Sequence, residues 1–95
     1  MVTLTNIKKI ATKLGVNIDV VSPHTLKYAV EIELEHGYSH TRTNVTNNNL
    51  TKTMKIALAH LDEFPDYYVR LVKMEDRAEK YWKNKKKPSI WIDDI

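Results

Sequence analysis

The 95-residue chain contains no cysteine. That excludes a disulfide framework, a thiolate nucleophile and a cysteine-ligated zinc site, and it fits a reducing compartment. Glycine is almost as scarce: Gly15 and Gly37 are the only two. They are too few and too far apart to build the glycine-rich loop that cradles nucleotide phosphates. No serine or threonine stands in a nucleophile-elbow context. Long apolar runs are also missing. Residues 1–20 alternate lysines with single aliphatics, a pattern that predicts neither a signal peptide nor a membrane span. A secreted or membrane-bound protein is therefore not expected, and the glycosylation-type triplets at Asn44 and Asn49 carry no weight.

Most of the chain also lacks an excess of one charge. Residues 1–79 hold ten basic and ten acidic side chains, so the net charge of +3 arises from Lys80, Lys83, Lys85, Lys86 and Lys87, less Asp93 and Asp94. A protein that grips phosphates through its globular face carries its basic excess on that face. Here binding of nucleic acid or another polyanion is confined to those five tail lysines. The plainer reading of the lysines is a solvated end that keeps a small protein soluble.

What the sequence does have is helical periodicity. Leu4, Ile7, Ile10, Ala11 and Leu14 recur on one side of a first helix over 4–14, and Gly15 follows where a left-handed cap would close it. Val16 to Val21 is a short β-branched link that could pair as a strand but cannot form a sheet alone. Ser22-Pro23 is an N-cap followed by a first-turn proline. It opens a second helix over about 23–36, which Gly37 is expected to end. Leu26, Ala29, Val30, Ile32 and Leu34 form its apolar arc, yet Glu33 and His36 lie inside that arc. A polar loop over 37–50 follows, rich in threonine and asparagine, whose side chains can bond locally and hold a loop in one shape. Asn49 or Thr51 is expected to cap a third helix over 51–63 that turns Met54, Ala57, Leu58, Leu61 and Phe64 toward the core. Pro65 interrupts the pattern. A fourth helix over 66–83 aligns Tyr67, Leu71, Met74, Ala78, Tyr81 and Trp82. These aromatics are expected in the core in preference to stacking on bases. The predicted fold is all-α: a small bundle of four helices in one domain, 1–83, with a basic and then apolar extended tail, 84–95.

Two pairs of residues could carry chemistry. Glu33 and His36, like His60 and Glu63, are three apart on one helix, and helical bundles that hold metals use Glu and His at that spacing. Glu33, His36, His60 and Glu63 are thus a candidate site for a divalent metal, with Glu75 a further carboxylate. The competing and preferred reading is a structural polar cluster, in which Glu33 and His36 take hydrogen bonds from Lys55 and from the loop residues Asn44 and Thr46. If the second and third helices ran antiparallel, Glu33 would face the start of the third, with His60 about 13 Å further along at 1.5 Å per residue. His24 and His40 are expected at the surface. In the tail, Ile90, Trp91, Ile92 and Ile95 would be a liability in water, so this segment is expected to dock, on its own domain or on a partner subunit.

The strings EIELEHG at 31–37, TNVTNNN at 43–49, KIALAHL at 55–61 and EFPDYYVRLVKME at 63–75 resemble a small uncharacterised family found in bacteriophages, bacteria and large DNA viruses. The resemblance spans roughly residues 4–76 and is strongest to copies from amoeba-infecting giant viruses of the marseillevirus type. Many members have two aspartates where this chain has Asn48 and Asn49. The family brings no established activity. The resemblance implies a viral protein in virions and the infected host cytoplasm. With no catalytic constellation, no cofactor beyond a possible divalent metal, and a docking tail, the sequence predicts a non-catalytic virion or virus-factory component that binds protein. Its first expected partner is itself, as a homo-oligomer and most simply a dimer.

Overall fold

The computed structural model describes residues 2–39, 41–44 and 46–92, the side chains of 36–39 and 41 excepted. The fold is all-α, with four α-helices and no strand among the described residues. The helices are α1 (Leu4–Lys13), α2 (Pro23–Ser39), α3 (Leu50–Glu63) and α4 (Tyr67–Trp82), with a 3-10 turn at Thr41–Thr43. The chain falls into two compact units, residues 1–65 and 66–95, so the division comes at Pro65, inside the segment read from the sequence as one domain.

In the first unit α2 is the central element, packing against both α1 and α3. Its entry follows the local chemistry of Ser22-Pro23. The Ser22 hydroxyl accepts the Thr25 N–H at 3.1 Å, and the Leu26 N–H closes the first turn on the Ser22 carbonyl at 3.0 Å. Proline at the first helical position supplies a pre-set φ and gives up an N–H that would have had no helical partner. Leu26, Ala29, Val30 and Leu34 are buried, and each large aliphatic among them contributes about 1.5–3 kcal/mol by leaving water. On the outer face Lys27 and Glu31, one turn apart, form an ion pair at 2.6 Å.

Helix α1 starts on Thr3, whose hydroxyl accepts the Asn6 N–H at 3.2 Å, and buries Ile7 and Ala11. Its exit is a Schellman motif. Gly15 takes φ +75°, its N–H reaches the Thr12 carbonyl, and the Val16 N–H reaches back to the Ala11 carbonyl. The link after it forms turns, not a strand. Both the Val20 and Val21 N–H groups close on the Asn17 carbonyl, and the Asp19 N–H closes on the Asn17 side chain.

Helix α3 is capped by Asn49, whose side-chain oxygen accepts the Lys52 N–H at 2.9 Å. It buries Thr53, Met54, Ala57 and Leu61. Phe64 departs from the expected core face and is 52% exposed. The cause is Pro65: a residue before proline is driven out of the helical region. Phe64 accordingly sits in extended backbone at φ −141°, ψ 121°, off the helical stripe that ends at Leu61.

Gly37 also departs from expectation. The backbone stays helical through it and stops at Ser39. Glycine permits a left-handed cap but does not impose one, and inside a helix it costs only about 0.5–1 kcal/mol relative to alanine. The polar connection is correspondingly shorter, residues 40–49.

In the second unit, Asp66 precedes α4 and its carboxylate accepts the Arg70 Nε–H at 2.7 Å, one turn on. The expected apolar stripe is present as a sequence pattern, but its C-terminal half is not core. Met74 is 54% exposed and Tyr81 60% exposed, and Trp82 is also at the surface. Tyr68, which lies beside the stripe, is the buried residue of this helix.

Candidate functional site

Among the described residues of the first unit, those with chemistry are grouped in small sets. Glu33, from the inner half of α2, and His60, from the last turns of α3, meet with His60 Nδ1 3.1 Å from Glu33 Oε2. An ionised carboxylate only accepts, so the imidazole donates its Nδ1–H to it. The Glu33 side chain is 10% exposed and that of His60 32%. The pair is therefore half-withdrawn from water and strengthened by its charge.

This meeting corrects the expected separation. With α2 running three residues further, to Ser39, Glu33 stands about 4.5 Å deeper in the helix relative to its end. It faces the body of α3, where two long side chains span the rest.

The other predicted partners are placed elsewhere. Glu63 is exposed at the end of α3, and Glu75 is exposed on α4. The His36 side chain and all of His40 lie outside the described residues, and His24 is exposed. Among the described residues no group of three or more His, Asp or Glu is arranged to hold a metal ion.

The described bonds of the loop residues run within the loop and to the first turn of α3. The Thr53 hydroxyl donates to the Asn49 carbonyl at 2.7 Å and lies 3.2 Å from that of Thr46. The Asn49 N–H bonds the Thr46 carbonyl, and Asn44 donates its amide to Asn48 at 3.3 Å. Asn47 and Asn48 both occupy the left-handed region, at φ 51° and 62°, where asparagine is the non-glycine residue best tolerated. The second oxygen of this network, Asn44 Oδ1, is buried with no hydrogen-bond partner among the described residues.

Lys55 is exposed. It lines an open groove of about 850 Å³ with Val16, Val20 and Val21 of the first link and Leu58 and Asp62 of α3. The groove was not read from the sequence. Its only signal was the β-branched run 16–21, whose side chains are too apolar for a plain linker.

The C-terminal lysines, Lys80, Lys83, Lys85, Lys86 and Lys87, are all exposed. The Lys85 ammonium stands 3.4 Å from the centroid of the Tyr81 ring, a cation–π contact. Tyr81 and Trp82 meet edge to face at 5.3 Å. Of the expected docking residues, Ile90 is 82% and Ile92 68% exposed, and Trp91 is exposed at 36%. Ile95 lies outside the described residues. No helix among the described residues is long and apolar enough to cross a membrane.

The fold and its polar groups thus define a small all-α protein whose described side chains assemble a helix-to-helix hydrogen bond and a self-bonded loop. The chain belongs to the family described as "Protein of unknown function (DUF5661)", whose model matches residues 7–77. No curated protein and no solved structure matches the chain.

Proposed function

We propose that this protein is a non-catalytic component that works by associating with further copies of itself. The observation that carries the reading is the apolar surface of the second unit, where Met74, Tyr81 and Ile90 are 54%, 60% and 82% exposed. Met74 and Tyr81 lie two turns apart on one face of α4, and large apolar side chains grouped at a surface mark a site of association. The resemblance of the internal strings to giant-virus copies supports a virion or virus-factory structure as the assembly, in the cytoplasm of an infected host.

Light scattering of the purified chain across a concentration series tests the reading. The expected mass is a multiple of the 11.1 kDa protomer, most simply a dimer, and a variant lacking residues 88–95 is expected to associate more weakly. A chain that stays monomeric at every concentration overturns it. Recovery of the protein from purified particles by mass spectrometry tests the virion context separately.

One second reading is a divalent-cation site in which the metal takes the place of the proton between His60 Nδ1 and Glu33 Oε2, which lie 3.1 Å apart. Elemental analysis of protein purified without chelator separates the two. Stoichiometric metal that is lost in Glu33→Ala would establish the metal site, and substoichiometric metal would end it.

A further inference from the structure

We infer that two copies of this chain pair through α4, side by side, parallel and in register. This rests on the self-association proposed above and specifies which surface is used and in which orientation.

The first support is spacing. Tyr67, Leu71, Met74, Ala78 and Tyr81 follow one another at intervals of four, three, four and three residues. That alternation is the 3.5-residue repeat that keeps one seam facing a partner helix along its length. A helix that only covers a globular core uses a wider stripe. The C-terminal half of the seam is available, since Met74 and Tyr81 are more than half exposed.

The second support is charge, and it selects both the occupant and its direction. Arg70 and Arg77 flank the seam on one side; Glu75 and Trp82, with the buried Tyr68 before them, flank it on the other. In a parallel, in-register pair each residue of the first flank meets the residue five positions later on the opposite flank of the other helix. Arg70 then faces Glu75 of the second copy, and Arg77 faces the ring of Trp82. Symmetry makes each contact twice. The first is an ion pair and the second a cation–π contact. In an antiparallel pair like flanks meet, which sets Arg70 against Arg77 of the other copy. A second copy of this helix is thus its own complementary partner in one orientation only. Arg70, Glu75 and Arg77 are exposed, and the bond from Arg70 to Asp66 uses one of five guanidinium N–H groups.

The test uses the full chain, whose lack of cysteine makes introduced thiols unambiguous. In Ala78→Cys, parallel in-register helices bring the two thiols within disulfide range, where the Cα atoms are usually about 4.4–6.8 Å apart. Air oxidation should give a covalent dimer, while Glu79→Cys, off the seam, should not. Independently, Glu75→Arg should raise the dimer dissociation constant about tenfold or more by turning two attractions into repulsions. The double variant Arg70→Glu, Glu75→Arg should restore it. Far-UV circular dichroism confirms that these exposed changes leave the helix intact. A wild-type chain that never dimerises overturns the self-association reading and this inference with it. A wild-type dimer that neither cross-links at position 78 nor responds to the charge changes leaves self-association standing and overturns the α4 pairing alone.

Discussion

At the scale of single residues, the structure rests on short polar side chains that finish helices. Asn49 is the clearest example: its side chain takes one N–H of the first turn of α3, and its own N–H is held by Thr46. Asn49→Ala should cost about 1 kcal/mol of stability, read as a lower urea midpoint. Asn49→Asp should change it little, because aspartate caps as well as asparagine does. Gly15 illustrates a different constraint. A methyl group built there meets nothing within 4 Å, so Gly15→Ala would create no clash. The cost comes from the backbone at φ +75°, where an L side chain is disfavoured by about 1–2 kcal/mol, and thermal unfolding of that variant should show it. Gly15 was legible in the sequence and Asn49 was one of two caps it offered, with Thr51, since capping and left-handed turns are settled within five residues of chain. The burial of Thr53 was not legible. A threonine satisfied by its own helix at the Asn49 carbonyl is apolar to its surroundings, and no local signal announces that.

At the scale of the elements, the helices were legible because their stripes repeat several times. What failed was the termini and the facing of stripes. Gly37 has the composition of a cap yet lies within α2, and the added turn makes up part of the distance expected between Glu33 and His60. Phe64 continues the spacing of the α3 stripe, but Pro65 removes it from the helix that would have pointed it inward. The α4 stripe was read as core because periodicity says which side chains share a face and not whether anything covers it. The Glu33–His60 pair ties the two helices that bury most of the first unit. A double-mutant cycle with Glu33→Gln and His60→Ala should return a coupling of about 0.5–1.5 kcal/mol in unfolding free energy. A coupling indistinguishable from zero would mean that the two helices are held by their apolar contacts alone.

At the scale of the whole molecule, the chain separates at Pro65 into a three-helix unit and a second unit carrying α4 and the tail. Among the described residues nearly all of the buried apolar side chains belong to the first, whereas α4 buries only Tyr68. Segments with few buried contacts open at lower free energy than the rest. Both tryptophans of the chain, Trp82 and Trp91, lie in the second unit, and the first has none. Indole emission is therefore a private signal of residues 66–95, while far-UV ellipticity is dominated by the three helices before them. During chemical denaturation the fluorescence change is expected to precede the loss of ellipticity, whereas superimposed curves would show that the whole chain melts as one cooperative block. No label has to be attached for this: where its indoles fall equips the protein with an optical reporter on the half that is proposed to meet its neighbour.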